Sequence, residues 1–237
     1  LVLGAVFFAF QIYGDFSGYS DIAIGTARLF GFNLMKNFSF PYFSRDIAEF
    51  WRKWHISLST WFRDYVYIPL GGSKTSKAKQ IRNVFIVFIV SGFWHGASWT
   101  FVIWGVLNGL YLLLLDTTIV RHMRRIPSPF SRIMRTMFCT VFMYTALILF
   151  RAPDMAVAGE VFLALFDWDL SQLDINSVRL GMVEIEWWMS WMLLVGLYSL
   201  EWMVEANPSL ESFFSQGIGL KRWLVTWGLA MAIILLG

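Results

Sequence analysis

Two histidines combine a capacity for acid–base chemistry near neutral pH with an apolar setting: His55, in WRKWHISLSTWFRDY, and His95, in SGFWHGASW. From Asn83 to Leu115 there is no Asp, Glu, Lys or Arg, so His95 is the one group of that run that titrates near neutrality. A polar ring in such a place is costly unless it is hydrogen-bonded or lines a wet cavity. Two readings follow: a buried imidazole satisfied by a backbone carbonyl, or a proton-handling group. Ionisable residues inside a membrane lean toward the second. For His55 the two stand level on the residues alone. The third histidine, His122, sits among Arg121, Arg124 and Arg125 and reads as solvated. Forty residues separate His55 from His95, with no ligand spacing and no carboxylate pair to complete a shell, so no metal is expected. There is no G-x-S-x-G elbow, Walker loop or glycine-rich dinucleotide turn. The lone Cys139 lies in an apolar run and reads as a buried structural thiol.

The elements that must hold these rings belong to a membrane protein. The 237 residues are 57% apolar, 19% aromatic and only 15% charged, against the roughly 45–50% apolar residues of ordinary soluble domains. A net charge of +3 without a basic solvated face excludes nucleic acid as a partner. The expected class is all-α, a multi-pass helical bundle with candidate spans near 1–14, 83–115, 134–151, 187–204 and 222–237. Both ends fall in or beside apolar runs, so 1–237 reads as one domain truncated at both ends. Basic clusters at Lys74, Lys77, Lys79 and Arg82, and at Arg121, Arg124, Arg125, Arg132 and Arg135, predict two cytoplasmic loops. The acidic segment 152–187 belongs on the other side, with a short amphipathic helix begun by Pro153–Asp154.

Residues 83–115 must leave the cytoplasm and return in too few residues for two full spans, which predicts a tilted or re-entrant hairpin. Gly92 and Gly96 add a small-xxx-small spacing that lets another helix or a ligand approach. Residues 46–66 read as one amphipathic helix at the interface, opened by an Asp46/Glu49 capping box. Its apolar face carries Ile47, Phe50, Trp51, Trp54, Leu58 and Trp61; Arg63 and Asp64 share the polar one, and His55 stands on the border. Trp51, Trp54, Trp94 and Trp99 cluster near the histidines and either wall a tunnel or simply pack. Asp15, Asp21 and Arg28, in a Gly- and Ser-rich stretch, are expected to pair or to face a polar channel. The Lys74–Arg82 run is an orientation signal or an attractor for an anionic donor.

Three blocks, QIYGDFSGYSDIAIGTARLFGF, FPYFSRDIAEFWRKWHISLSTWFRDYVYIPLGG and SGFWHGASWTFVIWGVLNG, resemble the membrane-bound O-acyltransferase family, with a weaker match at LFRAPDM. The likeness is to its bacterial branch of alginate O-acetyltransferase membrane subunits and teichoic acid D-alanyl transfer proteins. The resemblance implies a tunnel or funnel through the membrane with acyl transfer inside it. It places the family's histidine on His95 and its second polar catalytic position on His55. Trp51, Trp54, Arg63, Asp64, Trp94 and Trp99 become candidate tunnel-lining residues. The implied reaction is O-acyl transfer, most simply O-acetyl, in the inner membrane. The implied donor is a cytoplasmic thioester, acetyl-coenzyme A or an acyl carrier protein, with no bound cofactor. The implied acceptor is an exported polysaccharide or a periplasmic acyltransferase partner, with membrane lipid around the whole. A transporter using the same histidines as a proton relay, and a scaffold of a polysaccharide export complex, are the rival classes.

Overall fold

The computed structural model describes residues 2–114, 129–166, 182–207 and 209. Every regular element among them is helical. The chain forms two compact units, Leu1–Met182 and Val183–Gly237. Arg121, His122, Arg124 and Arg125, the stretch from Asp167 to Arg179, and the expected span 222–237 lie outside the described residues.

Helix α1 runs from Val2 to Leu29, well beyond the span expected at 1–14. No proline interrupts it, and its glycines and serines are tolerated singly. It ends at Gly31, whose positive φ of 82° lets the N–H groups of Gly31 and Phe32 turn back onto the carbonyls of Arg28 and Ala27. Asp15, Asp21 and Arg28 are exposed on α1 and make no ion pair among the described residues, so the pairing half of the expectation is not met there. Their spacings of six and seven residues miss the three- and four-residue steps that bring helical side chains together.

The interfacial helix expected over 46–66 is in fact two short helices and a π-helical turn: α2 (Ile47–Lys53), α3 (Ile56–Phe62) and Arg63–Tyr67. The break falls on Trp54, which is extended, and His55, which is left-handed at φ 44°. The capping box is half formed. Asp46 accepts the Glu49 N–H at 2.9 Å, but the Glu49 carboxylate accepts the N–H of Arg45 rather than that of Asp46. Burial opposes ionisation of Glu49, yet the Arg45 hydrogen bonds and the Lys53 charge hold its carboxyl down at about 2. The second oxygen of Asp46 meets Arg135, in the helix Pro129–Arg151, at 3.1 Å, both side chains being largely buried. That pair fixes the start of α2, and removing one partner of such a pair costs ~3–5 kcal/mol.

Past the glycines of IPLGG, both at positive φ, α4 (Lys77–His95) and α5 (Trp99–Leu114) form the expected hairpin. Its backbones meet closely. A Cβ on Gly92 would strike the Phe101 carbonyl oxygen, and one on Gly105 the Phe88 carbonyl oxygen. Gly92 is therefore spent on helix contact, not on a ligand. Gly105→Val is expected to cost upward of ~3 kcal/mol through overpacking that no rotamer relieves. Membrane-inserted protein, measured by immunoblot, should fall sharply, whereas Gly18→Ala, with open space around it, should leave it unchanged.

Helix α6 (Pro129–Arg151) contains the one stretch among the described residues, Phe130–Arg151, long and apolar enough to cross a membrane. Asp154 caps α7 (Met155–Ala164) by accepting the Val157 N–H at 2.9 Å. The helix is apolar rather than amphipathic, Glu160 being its only charge. Ala9, Tyr13, Tyr42, Ile47, Phe50, Tyr111, Cys139 and Met143 form a core joining α1, α2, α5 and α6. In the second unit, α8 (Glu184–Ala206) covers the span expected at 187–204. The Glu186 carboxylate accepts the Val183 N–H at its start.

Candidate active site

His55 and His95 reach one cavity from different directions. His55 sits at the break between α2 and α3, and His95 is the last residue of α4 before the turn into α5. Between them lies a space of about 280 Å³ with contributions from α1, α2, α3, α5 and α6. Its walls are almost wholly apolar and aromatic, including Phe16, Trp51, Trp54, Trp94, Trp104 and Phe150. The two imidazoles are the ionisable groups on that wall apart from the Tyr42 hydroxyl, which donates to the Ala9 carbonyl.

Aromatic edges set the plane of each ring. Phe16 of α1 meets His55 edge-on at 4.6 Å. His95 is held by Trp94 at 4.9 Å, Phe150 at 5.0 Å and Trp104 at 5.5 Å, each edge-to-face. Such contacts contribute ~0.5–1.5 kcal/mol each and fix orientation without consuming a ring nitrogen. Among the described residues neither nitrogen of His95 has a hydrogen-bond partner. The reading of a structural imidazole satisfied by a carbonyl therefore has no support here. His55 has only a long contact, 3.4 Å from Nδ1 to the Ser57 hydroxyl. Burial, together with the nearness of His95, pushes the His55 imidazole down to about 4. At neutral pH it is uncharged, with one N–H to give and one lone pair to accept.

The cavity wall is itself braced. Trp51 donates its indole N–H to Asn108 Oδ1 at 3.2 Å, and Asn108 Nδ2 donates to the Trp104 carbonyl at 2.8 Å. Asn108 is fully buried. One amide thus ties together two of the tryptophans that face the histidines. Trp54 stacks on Phe50 at 5.5 Å and meets Phe38 edge-on at 5.0 Å.

Of the residues expected to line a tunnel, Trp51, Trp54 and Trp94 lie on this cavity. Trp99 does not: it begins α5 and is 72% exposed. Arg63 and Asp64 lie in the exposed π-helical turn and bind each other at 2.7 Å, away from the histidines. Their place on the polar face of the segment already sets them apart from the tryptophans that line the cavity. Phe16, Trp104, Asn108 and Phe150 were missed as site residues. Phe150 had a signal in LFRAPDM, and Phe16 and Trp104 lay in the resembling blocks, but nothing in their residue type distinguished them from packing. No group of three or more metal-ligating side chains occurs among the described residues.

Comparison with known proteins places the chain in a family. The family model described as MBOAT, membrane-bound O-acyltransferase family, matches residues 1–152. A probable alginate O-acetylase of Azotobacter vinelandii is 43% identical over 187 residues, 77% of this chain and 36% of that protein. Its counterpart in Pseudomonas aeruginosa is 37% identical over 222 residues, 92% of this chain and 40% of that protein. A peptidoglycan O-acetyltransferase of Helicobacter pylori is 40% identical over 154 residues, 65% of this chain and 29% of that protein. The chain thus spans two-fifths or less of the length of these relatives. Both histidines, and every helix that forms their cavity, fall inside the matched region. The chain belongs to the membrane-bound O-acyltransferase family.

Proposed function

We propose that the protein is a multi-pass inner-membrane O-acetyltransferase that moves an acetyl group from a cytoplasmic thioester toward a hydroxyl on an exported polysaccharide, or on a periplasmic partner that completes the transfer. The observation that carries this reading is the pair of neutral-capable imidazoles facing one aromatic cavity in a chain of this family. The relatives' names supply the acetyl group and the polysaccharide acceptor. The donor, acetyl-coenzyme A or an acyl carrier protein, is a substrate and not a resident cofactor.

In the proposed step the acceptor hydroxyl oxygen attacks the thioester carbonyl carbon. His95 takes the hydroxyl proton as the C–O bond forms. The C–S bond then breaks, and the proton passes to the departing thiolate sulfur. Free ring nitrogens suit His95 to this task, since a base already engaged in a structural hydrogen bond would have to release it first. His55, neutral at pH 7, orients the acceptor or donates its N–H to the oxygen on which negative charge develops. Apolar walls keep bulk water from competing with the hydroxyl and strengthen both interactions.

The proposed orientation puts the exposed basic stretch Lys74–Arg82 in the cytoplasm and the residues after Arg151 outside. Single cysteines at positions 77 and 156 should respectively resist and accept a membrane-impermeant thiol reagent in intact cells. The opposite pattern would reverse the orientation.

The reaction is tested with membranes containing the full-length protein and a thioester labelled in its acetyl group. Transfer of label to a hydroxyl acceptor supports the proposal. Movement of acceptor or protons across the membrane without loss of the thioester bond would instead identify a transporter.

A further inference from the structure

The break that exposes His55 is held by a segment distant in sequence. Residues 37–39 lie across the gap between α2 and α3 and bind both sides of it. The Ser39 N–H donates to the Lys53 carbonyl, the last residue of α2, at 3.0 Å. On the other side the Asn37 carbonyl accepts the Ile56 N–H at 3.0 Å, and Asn37 Oδ1 accepts the Ser57 N–H at 3.1 Å. The remaining amide hydrogens point back to α1, where Asn37 Nδ2 donates to the buried Ser20 hydroxyl at 3.1 Å.

This arrangement solves a capping problem. The residue preceding α3 is His55, whose ring does not cap, so the first N–H groups of the helix lack their usual acceptor. Asn37 supplies two acceptors from outside. The His55 ring is thereby released to face the cavity, at the cost of a left-handed backbone that residues bearing a Cβ seldom adopt. Phe38, next in sequence, packs edge-on against Trp54 and against Phe16, which in turn touches the His55 ring.

We propose that Asn37 is a positioning residue for acyl transfer: it holds the α2–α3 break in the conformation that aims His55 into the cavity. The inference rests on the proposed function for its role in transfer, but its geometric content is measurable without any turnover. The Ser57 N–H needs an acceptor from residue 37, and aspartate offers one. A carboxylate is favoured beside a helix N-terminus and can accept from the Ser20 hydroxyl. Asn37→Asp should therefore retain the function of the native residue, and Asn37→Ala should lose it.

The test uses the full-length protein in membranes and two readouts. The first is the rate of modification by diethyl pyrocarbonate at His55 and at His95, resolved by peptide mass. Asn37→Ala should raise the His55 rate about fivefold, the equivalent of one ordinary hydrogen bond, with His95 unchanged and Asn37→Asp near the native rate. The second is acyl transfer. Asn37→Ala should slow it roughly tenfold or more, as misplacement of a catalytic group does, and should cause no further loss in a His55→Ala background. An unchanged His55 rate in Asn37→Ala would overturn the proposal. So would a parallel rise at His95, which marks general loosening, or failure of Asn37→Asp to restore the native rates. If the native protein transfers no acyl group, the proposed reaction fails while the modification rates still decide the role of Asn37.

Discussion

His95→Gln is expected to lower acyl transfer by ~10²–10⁴, the range for loss of a general base, while membrane-inserted protein stays near its normal amount. The two effects separate because of how the ring is held. His95 is fixed by the edges and faces of Trp94, Phe101, Trp104 and Phe150, and among the described residues no polar group depends on it. Its removal strands no buried donor or acceptor, so the ~1–3 kcal/mol penalty of an orphaned partner does not arise. Glutamine has similar length and can hydrogen-bond, but it accepts no proton at neutral pH. Alanine should be equally inactive and somewhat less stable, since it also abandons the aromatic contacts. The measurement is acetylation of the exported polymer in cells carrying each variant, normalised to membrane-inserted protein. Full activity in His95→Gln would remove His95 from the proton path.

His55→Ala is expected to be the milder change, with a loss of up to ~10²–10³ in rate, the size of one donor to a developing oxyanion. Burial and the nearness of His95 keep this ring neutral at pH 7, so its contribution is an oriented N–H and not a charge. The change also takes Phe16 out of its edge-on contact with the ring, a small loss beside the catalytic one. Transfer rates at equal protein level, compared between His55→Ala and His95→Ala, check the ranking. Greater damage from His55→Ala would exchange the two roles.

The all-helical class was legible in the sequence because it depends on local signals, whereas His55 was singled out beside His95 by the family resemblance and not by its residue type. An uncharged run over 83–115 dictates a packed hairpin, and Gly92 was singled out at its close crossing, though Gly105, which makes the matching approach, was not. Asp154 announced the helix it caps. Periodicity failed where the backbone left the helix. The apolar face drawn over 46–66 was continuous on a wheel, yet the chain breaks at Trp54–His55 because distant Asn37 and Ser39 satisfy the freed backbone groups. No window of neighbouring residues contains that information. Arg63 and Asp64, on the polar face of that wheel, pair with each other in the exposed turn and do not reach the cavity wall. Asn108, which braces Trp51 across 57 residues, was likewise invisible. A long-range hydrogen bond, which composition does not reveal, sets the place of Trp51 beside the histidines.

If His55 and His95 serve one substrate-holding cavity, as proposed, an occupant of that cavity must shield both rings. The most direct test is to follow modification of both rings by diethyl pyrocarbonate, in membranes with the full-length protein, with and without a saturating acetyl thioester that the protein turns over. The thioester should slow modification at both positions together. Transfer from that thioester with both rings modified at undiminished rates would contradict it.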